Sequence, residues 1–495
     1  MADVPHLSLR HEPRLDAKHA AFGYQAEAVD FIAARPYAAI FHEQGLGKTK
    51  IAIDVALRWL SQGEVDTVVI FTKKSLIANW QRELAAHTYL NPAILTESGR
   101  NNYFVFTAAT RLILAHFEVA KKELKRFSVW LGTRRVAAIL DESAKIKNPD
   151  SDLTQAFFEL APLFAKRIIM TGTPVANRPY DVWAQIYFLD RGAALGNDFR
   201  SFKSSTDLVR DLHADSSEFE RYQDRLAGVN ASLDPISVRE TKDGGRILLP
   251  GKEFVSVSTE WEAAQVELYQ QVKDELRAVV LRDGQLITDD QESILKRLLR
   301  LIQIASNPRL VDEAYEAEPG KLAPLRDLVT DITRAGEKVI VWTSFNLNCE
   351  LLAQELEPFG ALALHGKLGM DRRNAIVRWF LSNSSDQVLV ATPGAAKEGL
   401  TLTVANHVIF YDRTYSLDDY LQAQDRIHRV SQTKTCFVYR LLMRDSIDEW
   451  VDALLEEKRL AAQLTQGDIT KEQYAQRATL SFFDILDSIL DIKKT

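Results

Sequence analysis

The chain has 495 residues, 46% hydrophobic and 26% charged, which describes a globular protein with room for about three domains, each with its own core. Its 61 Lys and Arg against 68 Asp and Glu leave a formal charge of −7. That balance excludes a wholly basic nucleic-acid coat but leaves room for a local basic cleft. Two cysteines, Cys349 and Cys436, exclude a disulfide scaffold, and they form no metal-ligand cluster with the ten histidines. The opening stretch "MADVPHLSLRHEPRLD" is broken by charges and prolines, unlike a signal peptide, and every apolar run is too short to span a bilayer. The expectation is a soluble, cytoplasmic protein with no membrane partner.

In chain order, "YAAIF" at 37–41 reads as a buried strand that runs into "HEQGLGKT". Ile51, Val55 and Trp59 then fall at helical spacing, with Gly63 closing that helix. "TVVIF" at 67–71 is a second strand, followed by a helix with Leu76, Trp80 and Leu84 on one face. "YFVFT" at 103–107, "VAAIL" at 136–140 and "RIIMT" at 167–171 are read as further strands. From about 195 to 310 the chain is helix-rich and charged, with "ELYQQVKDELRAVVL" and "ESILKRLLRLIQIA" the clearest helices. The "KDGG" turn at 242–245 and Pro250-Gly251 are natural breaks. Strands return as "KVIVWT", "ALALH", "QVLVAT", "HVIFYD" and "CFVYRL", and the last forty residues read as polar and amphipathic helices. Strands alternating with helices in two regions predict two α/β lobes built on parallel sheets.

The stretch "EQGLGKT" carries the first chemistry. Gly45, Leu46 and Gly47 form a tight turn whose backbone N–H groups can point inward, and the following helix offers its positive N-terminus to phosphate. Lys48 would reach the β- and γ-phosphates, and the Thr49 hydroxyl would ligate Mg²⁺. The strict pattern wants Gly at position 42, where this chain has His42. "VAAILDES" supplies the carboxylates: Asp141 would hold the metal and Glu142 would polarise an attacking water. Both motifs sit where predicted strands end, as ligand sites do in open parallel sheets. A nucleoside triphosphatase follows.

"RIIMTGTPVANRPYDVWAQIYFL" and "YLQAQDRIHRVSQ" then occur in order, in the two predicted lobes. With "EQGLGKT" and "DESAKIKN" they resemble the Swi/Snf-type family of helicase-like ATPases, within helicase superfamily two, over about residues 20 to 450. Further matches are "SLIANWQREL", "VRETK" followed by "LPGKE", "LRLIQIASNPRL" and "LTLTVANHVIFYD". The resemblance implies two RecA-like lobes with helical insertions between them and a short C-terminal helical extension. The boundaries expected are 1–194 for the first lobe and 195–250 for a helical insertion and linker. The second lobe then covers 251–455, with its own insertion at 260–310, and a C-terminal brace covers 456–495.

The resemblance also implies that Gln25, after Tyr24, reads adenine. Thr171, Gly172 and Thr173 would couple nucleotide state to lobe movement, and Gln422, Arg426 and Arg429 would reach the γ-phosphate from the second lobe. Their spacing of four and then three places all three on one helical face. ATP with Mg²⁺ would be held across the lobes and favour closure only while its γ-phosphate bridges both.

In the family the grip is on double-stranded DNA, through phosphates rather than base edges. Matching positions are Lys73, Lys74, Ser75 and Asn79 in the first lobe, and Ser344, Phe345, His365, Gly366, Arg372 and Lys397 in the second. Departures are His42 for the usual Asp, Phe22 for Arg before "GYQ", and Ala144 where His is common after Asp141-Glu142. "AAKEG" at 395–399 and Tyr415-Ser416-Leu417 also depart from the family pattern. None removes a residue needed for phosphate or metal chemistry.

The expectation is a compact bacterial- or viral-type member, a monomer in the bacterial or host cytoplasm. It would be an ATP-dependent duplex DNA translocase that remodels DNA or protein–DNA complexes, with other DNA-processing or defence proteins as further partners. A strand-separating DNA or RNA helicase, and an ATP-dependent DNA-binding switch of low turnover, are the alternatives.

Overall fold

The computed structural model describes residues 6–207, 216–247, 249–282, 285–286, 291–383, 385–396 and 400–478. They divide into two compact units. The first holds the described residues of 1–207, 220–247 and 461–471, and the second those of 208–219, 248–460 and 472–495. Among the described residues no helix is long and apolar enough to cross a membrane.

The first unit is built on seven strands: β1 (Tyr37–Ile40), β2 (Thr67–Thr72), β3 (Ala93–Leu95), β4 (Leu112–His116), β5 (Val136–Asp141), β6 (Lys166–Met170) and β7 (Ser237–Val238). Their order is β3-β4-β2-β5-β6-β1-β7, and every neighbouring pair is parallel. Each strand therefore ends on the same edge of the sheet. The central strands are covered on both faces, so their sequences are continuous apolar runs. On one face Val68, Ile70, Leu114, Ile139 and Ile168 pack with Ile51, Val55, Trp59 and Trp80 from the covering helices. On the other, the Phe71 ring meets Phe127 at 5.7 Å and Phe157 at 5.1 Å. Burial of each such side chain contributes about 1.5–3 kcal/mol.

One expectation fails here. "YFVFT" is not a strand but the end of a helix, Gly99–Thr107. Ser98 caps that helix by accepting from the Asn101 N–H, and Asn102 and Phe106, four apart, are its buried residues. Tyr103 and Phe104 lie 56% and 63% exposed, so their β-forming tendency has no sheet face to pack on. The strands of this region are the short β3 and the buried "LILAH" of β4 instead.

The second unit contains β8 (Lys252–Thr259), a two-residue antiparallel pair β9 (Leu281–Arg282) and β10 (Gln285–Leu286), then β11 (Val339–Trp342), β12 (Ala361–Leu364), β13 (Val388–Ala391), β14 (His407–Phe410) and β15 (Cys436–Met443). The main sheet runs β12-β13-β11-β14-β15-β8, again all parallel. The stretch read as helix-rich thus also lends β8 to this sheet, paired with β15 over its whole length. Ile340, Trp342, Leu389 and Phe410 line one core and Val339, Val341, Val390 and Ile409 the other, the two-residue alternation of a sheet covered on both sides.

A buried ion pair ties this sheet to its helices. Lys321, wholly buried, donates to the Tyr411 carbonyl at 3.0 Å and pairs with Asp448 at 2.5 Å. Lys321→Ala is expected to lower the stability of this unit by about 3–5 kcal/mol, because it strands the Asp448 carboxylate. The joint Lys321→Met, Asp448→Leu replacement should recover most of that loss, read as the midpoint of the unit's denaturant transition.

Candidate active site

Four strand ends meet on the sheet edge of the first unit. β1 leads into 41–47 and the helix Lys48–Ser61, and β2 leads into Lys73 and Lys74. β5 ends at Asp141, and β6 leads into Thr171. The glycine turn takes the left-handed backbone that only glycine adopts freely, with φ of 87° at Gly45 and 75° at Gly47. A Cβ on Gly47 would also lie 2.2 Å from Gln25 Nε2, so the turn and the Gln25 amide are in direct contact.

The Lys48 ammonium donates to the carbonyls of His42 at 2.9 Å and Glu43 at 3.1 Å, which folds the loop around its own cation. Leu46 is buried, and its carbonyl accepts from the Tyr24 hydroxyl at 3.0 Å. Gln25 has a structural task as well: its Oε1 accepts from the Phe22 N–H at 3.0 Å, closing the start of the helix Gly23–Ala33, and its Nε2 donates to the Tyr24 hydroxyl at 3.3 Å. His42 is buried beside Tyr24, ring centroids 5.9 Å apart. Burial and then the Lys48 charge pull its imidazole down to about 4, so it is neutral at neutral pH.

Asp141 is buried at the end of β5. Its Oδ2 accepts from the Trp80 Nε1–H at 2.7 Å and the Thr72 hydroxyl at 2.9 Å. Burial first and the neighbouring Glu142 charge second push its carboxyl up to about 6, while Trp80, Thr72 and Lys48 pull the other way. Glu142 sits in the left-handed region, φ 57° and ψ 52°. For a residue with a Cβ that conformation costs about 1–3 kcal/mol and concentrates at functional sites. The Thr49 hydroxyl and the Asp141 carboxylate are hard oxygen donors, the type that Mg²⁺ takes beside phosphate oxygens.

Thr171 donates its N–H to the Ile40 carbonyl at 3.1 Å, directly before the glycine turn. A Cβ on Gly172 would fall 2.8 Å from Gln44 Cγ, so the Thr171-Gly172-Thr173 segment lies against the glycine turn. Beside Ala144, Ser143 is fully buried. Its hydroxyl donates to Gln185 Oε1 at 2.7 Å, and Gln185 Nε2 donates to the carbonyls of Pro174 at 2.8 Å and Asp181 at 2.9 Å. Lys147 pairs with Asp181 at 3.0 Å alongside. Trp80 was legible only as a core residue at helical spacing, and Gln185 only as part of a longer motif. Neither contact has a local signature.

The nucleic-acid candidates of the first unit cluster after β2. Lys73 is half-buried; Lys74 is exposed, paired with Glu97 at 2.6 Å, and begins the turn Lys74–Leu76 that contains Ser75. Asn79 Oδ1 accepts from Arg82 at 3.2 Å.

In the second unit a cavity of about 340 Å³ opens at the ends of β11 to β14, lined by Ser344, Asn346, Gly366, Thr392, Asp412 and Tyr420 among others. Asp412 organises one wall. Its carboxylate accepts from the Ser344 N–H at 2.6 Å, the Thr343 hydroxyl at 2.6 Å and the Ser306 hydroxyl at 2.7 Å. Phe345 follows Ser344 and its N–H donates to Thr343 Oγ1 at 3.5 Å. His365 is buried and faces Glu350 at 3.2 Å, and Arg372 is exposed over the Trp379 ring at 5.2 Å. Lys397 lies outside the described residues.

Gln422, Arg426 and Arg429 do not share one helical face. The helix Leu417–Gln424 ends before the arginines, and only Gln422 lies on it, donating to Asp418 at 2.7 Å. Arg426 and Arg429 follow in a turn. Arg426 Nη1 donates to the Leu400 carbonyl at 3.4 Å, and Arg429 donates to the Asp425 carbonyl at 2.9 Å and the Thr401 hydroxyl at 2.8 Å. Both arginines thus reach the 400–401 segment from beyond the helix end.

A family model described as the SNF2-related domain matches residues 24–310, and one described as the helicase conserved C-terminal domain matches residues 320–431. The putative ATP-dependent helicase/translocase YwqA of Bacillus subtilis is 28% identical over 456 residues, 87% of this chain and 47% of that protein. An uncharacterized ATP-dependent helicase of Mycoplasma genitalium, MG018, is 26% identical over 88% of this chain and 41% of its own length. The ISWI chromatin-remodeling complex ATPase ISW2 of Saccharomyces cerevisiae is 25% identical over 91% and 40%. The chain thus spans less than half the length of these curated relatives. Among solved structures, the Sulfolobus solfataricus SWI2/SNF2 ATPase core in complex with dsDNA aligns over 98% of this chain and all of that one, at 23% identity and a TM-score of 0.43.

The Asp141 carboxyl generates a pH prediction. Its folded value lies above its unfolded one, so the folded state holds the extra proton between the two, and stability falls as pH rises through that window. Asp141→Asn removes the burden of the buried charge. The variant is expected to melt a few degrees above wild type at about pH 8, with the difference vanishing near pH 4, in parallel thermal scans.

Proposed function

Since the chain belongs to the SNF2-related family of helicase-like ATPases, we propose that it is an ATP-driven translocase on double-stranded DNA. The single observation that supports this most is the shared sheet edge: the phosphate loop, the Asp141-Glu142 pair, the Thr171–Thr173 segment and the Lys73-Lys74 turn all leave one edge of one parallel sheet. Hydrolysis and a polymer grip can then act through the same few backbone segments.

In this reading the Lys48 ammonium exchanges the His42 and Glu43 carbonyls for the β- and γ-phosphates of ATP. The Gly45, Leu46 and Gly47 amides contact phosphate oxygens, and each atom of the Gln25 amide has a second hydrogen-bonding position for adenine. Thr49 and Asp141 would hold Mg²⁺, which when bound supplies charge neutralisation at the phosphates. Glu142 orients the attacking water. Gln422, Arg426 and Arg429 are assigned the stabilisation of charge on the γ-phosphate.

The DNA contacts assigned are Lys73, Lys74, Ser75 and Asn79, with Ser344, Phe345, His365, Gly366, Arg372 and Lys397. They are phosphate-directed and without base readout, which suits a motor that must pass over any sequence. The Bacillus subtilis relative, a putative ATP-dependent helicase/translocase, is consistent with a motor of this kind.

ATPase rates with duplex DNA, single-stranded DNA and RNA test the proposal. Duplex is expected to stimulate most, and equal stimulation by all three, or by none, would defeat it. Displacement of a triplex strand without opening of a forked duplex is the further expected result. Glu142→Gln should lower kcat about 10²–10⁴-fold while leaving ATP affinity near wild type, whereas Lys48→Ala should lose the affinity itself.

A further inference from the structure

The helix Ile447–Gln466 ends in a left-handed glycine turn that has a consequence for the phosphate loop. Gly467 has φ 76°, its N–H donates to the Leu464 carbonyl at 3.2 Å, and the Asp468 N–H donates to the Gln463 carbonyl at 2.8 Å. This pair of bonds is the Schellman arrangement, and it fixes the direction in which residue 468 leaves the helix. Glycine adopts this backbone without strain, and a Cβ at position 467 would lie 2.7 Å from both polar atoms of the Asn230 amide. Beyond the turn, Lys471 pairs with Asp224, so the segment is tied down on both sides of Asp468.

Asp468 is delivered onto Arg239. The guanidinium donates through Nε to Asp468 Oδ1 and through Nη2 to Oδ2, each at 2.5 Å. Both side chains are largely buried, at 16% and 13% exposure, so this is a forked, charge-assisted pair shielded from water rather than a surface ion pair. The remaining arm of the same guanidinium, Nη1, donates to the Phe41 carbonyl at 2.7 Å. Phe41 is the residue after β1, and the next two carbonyls, of His42 and Glu43, are those that hold Lys48.

The backbone around Arg239 runs beside the same segment. β7 pairs with β1, and the ladder continues past the strand ends through Phe41 N–H to Val238 carbonyl at 2.8 Å and Glu43 N–H to Glu240 carbonyl at 2.9 Å. The Lys242 N–H closes it by donating to the Glu43 carboxylate at 2.8 Å. The side of residues 41–43 that faces 238–242 is thus held by backbone bonds and by one guanidinium, and that guanidinium is oriented from outside the strand pair by Asp468.

We propose that Arg239 is a positioning residue for the phosphate loop, and that Asp468, presented by the cap of the helix Ile447–Gln466, holds Arg239 in the orientation that this task requires. Without the carboxylate, two N–H groups of a largely buried guanidinium lose their partners, and the side chain turns toward water and leaves the Phe41 carbonyl. The start of the loop then loses one of its restraints, and Lys48 is less well prepared for phosphate. This inference rests on the assignment of the Lys48 loop to ATP, but its first readout does not.

The experiment uses the full chain with Asp468→Asn, Asp468→Ala and the conservative Asp468→Glu, together with Arg239→Lys, which breaks the fork without removing the charge. Amide hydrogen exchange is followed at 41–49 and at 112–116 in β4, and affinity is read with a fluorescent ATP analogue. Expected is faster exchange at 41–49 with 112–116 unchanged, and analogue affinity about tenfold weaker, equivalent to about 1.4 kcal/mol. The turnover number at saturating ATP should change by less than about twofold, and Asp468→Glu should restore much of both losses. Arg239→Lys should reproduce the effect, which decides the matter even where Asp468→Ala folds poorly.

Unchanged exchange at 41–49 in both Asp468→Asn and Arg239→Lys would overturn the inference, as would an increase shared equally with 112–116, the mark of general loosening. A wild-type chain that binds no ATP analogue would remove the functional reading, while the exchange comparison still judges the positioning role by itself.

Discussion

The parallel register of the first unit's sheet is the constraint on which the rest depends. Because β2, β5, β6 and β1 are neighbours and all run the same way, four short segments that are far apart in sequence are released at one edge. Nothing in those segments attracts the others strongly by itself. The apolar strands do the assembling, through burial of residues such as Val68, Ile139 and Ile168 on one face and Phe71 on the other. The polar residues arrive at the edge as a by-product of where each strand ends.

At that edge the chain accepts local costs. Asp141 keeps a buried carboxylate beside Glu142, and Glu142 occupies backbone space that a side chain normally avoids. Trp80 and Thr72 limit the first cost by donating to Asp141, and the covering helix that brings Trp80 is itself held by the core. The Ser143–Gln185 bond and the contact of Gly172 with Gln44 join the acid pair, the Thr171–Thr173 segment and the glycine turn into one hydrogen-bonded and packed group.

The second unit repeats the principle with a different organiser. Asp412 gathers Ser306, Thr343 and the Ser344 N–H at the ends of β11 and β14, and so fixes one wall of the cavity among the candidate nucleic-acid residues. Here too a buried carboxylate is tolerated because several donors converge on it. Arg426 and Arg429 differ in that they lie beyond the end of the helix Leu417–Gln424 and reach the Leu400 carbonyl and the Thr401 hydroxyl.

Sequence alone determined what is written in short, local patterns: the apolar runs of β1, β2, β5, β6 and β11 to β15, the glycine turn before Lys48, the acid pair after β5, and the ordered motifs of the family. These are legible because strand burial, left-handed turns and phosphate chemistry each demand particular residue types at fixed spacing. "YFVFT" misled because β-forming side chains state a preference that a capped helix start, Ser98 with Asn101, can override. The partners of Asp141, the bond of Ser143 to Gln185, the course of Arg426 and Arg429, and the fork from Asp468 to Arg239 were decided only by tertiary structure. Each joins residues tens to hundreds of positions apart or depends on a turn, and such contacts exist only once the sheet has set the distances between them.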